Sequence, residues 1–115
     1  MSSNPYRVHT LDDYEVWVLE GANGIDRRND NVDVEVNFKT GERYGATIYT
    51  LENVASLMQQ WRTTGDCRNG LYFAAPHVIL VSELTSETIL ALIADLYKDG
   101  TLARVMERLS DSDEE

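Results

Sequence analysis

At 115 residues, the chain has the length of one domain, with enough residues to bury a core without a disulfide or structural metal. Twenty acidic residues face ten basic ones, a net charge of −10. Such a field repels nucleic acid and anionic lipid and favours a basic partner. A single cysteine rules out an internal disulfide and suits a reducing compartment.

No apolar run approaches the length of a membrane span. The opening MSSNPYRVHTLDDYE has neither the basic start nor the apolar stretch of a secretory signal. A cytoplasmic protein is therefore expected. No repeat or Pro- or Gly-rich linker divides the chain, so residues 1–115 read as one domain. Loose ends are expected at 1–10 and 110–115. Without the acidic tail DSDEE, sixteen acids still face ten bases, so the folded part is itself acidic.

The segment 14–20, YEVWVLE, is rich in β-branched and aromatic residues and reads as a strand. The loop GANGIDRRNDN follows. In VDVEVNF, 32–38, Val32, Val34, Val36 and Phe38 point one way, while Asp33, Glu35 and Asn37 point the other. KTGE makes a tight turn around Gly41, and RYGATIY, 43–49, returns as the partner strand. At Thr50 the period becomes helical. Thr50 suits an N-cap, Glu52 lies in the first turn, and Leu51, Val54, Leu57, Met58 and Trp61 form a stripe that ends at Gly65.

LYFAAP and HVILVSEL read as two short buried strands, or as one strand bent at Pro76. Thr85 or Ser86 caps a second helix with Ile89, Leu92, Ile93 and Leu96 on its buried face, closed by Gly100. A last helix is expected over 101–109, with Leu102, Val105, Met106 and Leu109 in phase. Strands and helices segregate, so the fold class is α+β: a mostly antiparallel sheet of about five strands, with two to three helices packed on one face.

Cys67 and His77 are candidates for a nucleophile and its base. Arg68 beside Cys67 favours a thiolate, but no motif supplies an orienting third group or an oxyanion hole. One Cys and two distant histidines, His9 and His77, make a poor zinc set, and the acids of DRRNDNVDVE lack calcium-loop spacing. No metal or cofactor is expected. GANG is not followed by a helix pattern, so no phosphate loop is implied. Arg27 and Arg28 are too small a basic cluster for a nucleic-acid footprint. The remaining candidate is an acidic surface. Asp12, Asp13 and Glu15 stand at the entry to the first strand, Asp33 and Glu35 on one strand face, and Asp30 and Glu42 in the flanking loops. Together they would suit a basic partner. Trp17 and Tyr49 fall on the alternate phase of their strands, where burial under a helix or loop is expected rather than a role as interface anchors.

GERYGATIYTLENV, the helix exit WRTTGDC, GLYFAAPHVILV and LTSETILALIADLYKDG, together spanning about residues 32–100, carry a resemblance. The chain resembles immunity proteins of bacterial contact-dependent growth inhibition (CdiI-type). That resemblance implies a cytoplasmic, non-enzymatic protein that binds and neutralises a cognate toxin domain, one monomer to one toxin. Many such toxins are basic nucleases. The resemblance carries no contact residues with it. Two alternatives stay open: a small enzyme using Cys67 and His77, and a homo-oligomeric regulatory protein.

Overall fold

The computed structural model describes residues 6–21 and 24–110. The acidic tail, the first five residues of the expected loose N-terminus, and Ala22 and Asn23 of the first loop lie outside the described residues. The fold is α+β; the described residues form a mostly antiparallel six-stranded sheet and four helices. The strand order is β1 (Tyr6–Thr10), β2 (Tyr14–Leu19), β3 (Asn31–Phe38), β4 (Arg43–Thr50), β5 (Val78–Val81). A sixth strand, β6 (Glu107–Leu109), pairs with β4 beside β5. Among the described residues only the β4–β5 pair is parallel.

The strand alternation decides which face turns inward. Val16 lies opposite Val36, Val18 opposite Val34, Val34 opposite Ala46, and Val32 opposite Ile48. All six are buried. Each such side chain contributes about 1.5–3 kcal/mol of burial, and a one-residue slip would expose the whole set. Two helices, α3 (Ser86–Asp99) and α4 (Leu102–Val105), complete this core through Ile89, Ile93 and Leu102, joined by Leu84 and Met106.

Helix α1 (Leu51–Thr64) stands apart from that layer and buries no residue completely. Its cap is nonetheless firm. The buried Thr50 hydroxyl accepts the N–H groups of Asn53 at 3.0 Å and Asp30 at 3.2 Å, so one side chain caps the helix and ties down the loop before β3. Gly65 ends α1 in the left-handed region, as expected. Thr85, not Ser86, caps α3, and Gly100 closes it. Trp61 of α1 stacks on Phe73 at 5.9 Å, and Phe73 meets Tyr49 edge-on at 5.0 Å on the sheet face away from the core.

Four expectations change. Residues 6–10 are not loose but form β1, a mostly exposed edge strand paired with β2. LYFAAP forms no strand: Leu71, Tyr72, Ala74 and Ala75 are exposed. Pro76 has no N–H for a ladder, and Phe73 is satisfied by Trp61 and Tyr49 instead. HVILVSEL shortens to β5, whose Leu80 is half exposed, so this strand is not buried on both faces. The last helix stops at Val105. Met106 turns to extended backbone, and Glu107–Leu109 fill the β4 positions 43–45 that β5, paired to 47–50, leaves open.

Candidate functional site

The structure divides the seven expected acids among different places. Glu15 and Glu35 lie with Asp33 on the sheet face opposite the core, because each alternates with a buried valine or tyrosine. Each carboxylate is aimed by one neighbour. Trp17 donates its indole N–H to Glu15 at 2.9 Å, Thr47 its hydroxyl to Asp33 at 2.7 Å, and Arg43 a guanidinium N–H to Glu35 at 3.0 Å. A carboxylate has about four acceptor positions, so each keeps capacity for another donor.

Glu107 joins this face through β6, opposite Gly45. Asp33, Glu35 and Glu107 line one shallow depression of about 260 Å³, with Tyr6 and His77 at its rim. Sequence reading missed Glu107 because its segment fits helical spacing. The pairing that puts it here is a long-range contact with no local signal.

Asp13 and Glu42 are elsewhere. They line a cleft of about 450 Å³ with Phe38, Tyr44 and Tyr97. Tyr97 donates its hydroxyl to Asp13 at 3.1 Å. This bond, together with the Asp13 charge, raises the Tyr97 phenol above its usual value near 10. Tyr14 is also raised, first by burial and then by the Asp13 charge. Because the folded state holds the Tyr97 proton more tightly than an unfolded chain, the contribution is present below about pH 10 and is lost as pH rises through the raised value. A Tyr97→Phe variant should therefore lose less stability than the wild type on passing above pH 10, as measured by denaturant unfolding across that range.

Asp30 is committed to its own loop, accepting the N–H groups of Asp26 and Asn31 at 2.9 and 2.8 Å. Asp12 is exposed in the β1–β2 turn. The seven acids therefore do not form one patch. Trp17 is half-buried against the Tyr6 ring at 5.4 Å, covered by the neighbouring strand and not by a helix. Tyr49 is covered by Phe73, on the loop that precedes β5.

Cys67 lies in α2 (Asp66–Gly70), a single left-handed turn in which Cys67, Arg68 and Asn69 have φ of 48°, 52° and 61°. No hydrogen bond joins Cys67 to His77 among the described residues. His77 is a corner. Its φ is 55°, its carbonyl accepts the Thr47 N–H at 3.2 Å, and its Nδ1 lies 3.3 Å from the Val105 carbonyl oxygen. These contacts start β5 and fix it to the end of α4. His9 sits in β1 with Nε2 shielded and unpartnered among the described residues. No group of three or more His, Cys, Asp or Glu side chains among the described residues is arranged to hold a metal. No described helix is long and apolar enough to cross a membrane.

Comparison with protein-family models, curated proteins and solved structures gives no significant match. The likeness to immunity proteins therefore rests on the quoted sequence segments alone.

Proposed function

We propose that this chain is a non-enzymatic binding protein that neutralises a basic toxin domain, in the immunity role that the sequence resemblance implies. The observation that carries the reading is the set of carboxylates on the sheet face opposite the core. Asp33, Glu35 and Glu107 share one depression, Glu15 lies on the same face, and Arg43 pairs with Glu35. The directions of Glu15, Asp33 and Glu35 are fixed before binding by Trp17, Thr47 and Arg43, which lowers the ordering cost of an interface. Their charge speeds encounter with a basic surface. The toxin would be held as a one-to-one complex in the cytoplasm, with a basic substrate-binding cleft as the natural target of such a face.

The test neutralises charge without removing the aiming bonds. Asp33→Asn with Glu35→Gln keeps an oxygen for Thr47 and another for Arg43. Association with a cognate toxin domain, sought first in the product of the adjacent upstream gene, should slow about tenfold at low salt, with a shallower salt dependence. An unchanged rate and unchanged salt dependence would remove the sheet face from the interface.

A further inference from the structure

The cleft that holds Asp13 and Glu42 is separate from the sheet-face depression, and its walls are aromatic. Phe38 and Tyr97 lie 5.4 Å apart between ring centroids, and Phe38 and Tyr44 lie 5.9 Å apart at nearly a right angle. Tyr14 backs them, 5.4 Å from Phe38 and 5.3 Å from Tyr97. These contacts hold the rings in place although Tyr97 is 42% exposed. Two carboxylates stand among the rings, and each has only one oxygen engaged by a side-chain donor among the described residues. Asp13 takes the Tyr97 hydroxyl through Oδ2, and Glu42 takes the Thr40 hydroxyl through Oε1 at 3.1 Å. Lys39 is the cation in this lining, and it forms no ion pair among the described residues. The lining itself carries two negative charges against one positive, and the Arg108 guanidinium lies beside it, over the Tyr44 ring.

Ring faces beside carboxylates match one common side chain in particular. A guanidinium is planar and weakly hydrated, it stacks on aromatic faces, and its five donors reach two acceptors at once. An ammonium satisfies the charge but not the stacking. The protein already shows this chemistry next door: the Arg108 guanidinium carbon lies 5.6 Å from the centre of the Tyr44 ring. We propose that the Phe38–Tyr44–Tyr97 cleft receives one arginine side chain of the basic partner, stacked on the rings and held by the free oxygens of Asp13 and Glu42. The inference rests on the basic-partner reading and adds an anchor at a second place, where aromatic burial supplies the specificity that the open sheet face lacks.

The probe is N-acetyl-arginine amide, with N-acetyl-citrulline amide as its uncharged counterpart, titrated into the full chain and followed by NMR. Arginine should shift the ring resonances of Phe38, Tyr44 and Tyr97 saturably, and citrulline should not. Glu42→Gln should weaken the arginine response about fivefold, and Lys39→Ala should strengthen it. Equal responses to the two probes at the rings would overturn the inference. So would arginine shifts confined to Asp33, Glu35 and Thr47, although the basic-partner reading would then stand on the sheet face alone. Absence of any arginine-dependent shift on either surface would count against both.

Discussion

Ile93→Ala is expected to lower folding stability by about 3 kcal/mol and the melting temperature by about 12 °C. Ile93 is completely buried on α3 and belongs to the cluster that joins the sheet valines to Leu102 and Met106. Truncation removes the transfer energy of its methyl and methylene groups and leaves a cavity. The rigid strands beneath it close such a cavity only partly. The loss should appear as one cooperative shift, seen alike by far-ultraviolet circular dichroism and by aromatic fluorescence, because this cluster is the common core of the sheet and α3. Leu71→Ala is the contrast. Leu71 is 69% exposed, and its truncation should leave the melting temperature almost unchanged.

Gly70→Ala should cost a similar amount, about 3 kcal/mol, by a different route. Gly70 has a φ of 79°, which strains any residue with a β-carbon, and a β-carbon there would collide with the backbone carbonyl of Met58 in α1. A backbone carbonyl inside a helix does not swing aside as a flexible side chain does. Gly100→Ala isolates the two contributions. Its φ is 75°, but nothing lies within 4 Å of the added carbon, so only the conformational cost of about 1 kcal/mol is expected. The Gly70 lesion should also be local. Helix α1 adds no fully buried residue to the core, so its amides should lose hydrogen-exchange protection while those of β2 and β3 keep theirs. Fluorescence of Trp61, stacked on Phe73, should report the same loosening.

These two variants also mark where the sequence was legible. The alternation of Val32, Val34 and Val36 and the stripe of Ile89 and Ile93 are strong because one face of each element is buried, and burial is what periodicity records. β1 escaped because Tyr6–Thr10 is an edge strand with little burial on either face, so its alternation encodes nothing. LYFAAP misled for the opposite reason. Its apolar residues are partly spent on the α1 aromatic contacts and partly exposed, and composition alone does not separate those outcomes from a buried strand. The spacing of Leu102, Val105, Met106 and Leu109 fits a helix, yet open ladder positions on β4 capture the last three residues as strand. The same division holds for the acids. Strand phase placed Asp33 and Glu35 on one face of β3, and the β2–β3 pairing adds Glu15, which the sequence alone puts only at the strand entry. The fates of Asp13, Asp30 and Glu42 were set by where loops meet, which the local sequence does not encode.

The proposed function requires that the acidic sheet face meet a basic toxin domain. The most direct measurement is the toxic activity of the product of the adjacent upstream gene, titrated with the purified protein at low and high salt. The expected result is loss of that activity with an endpoint at one protein per toxin, and an association rate that falls steeply as salt rises. Full toxin activity in the presence of excess protein at low salt would contradict it.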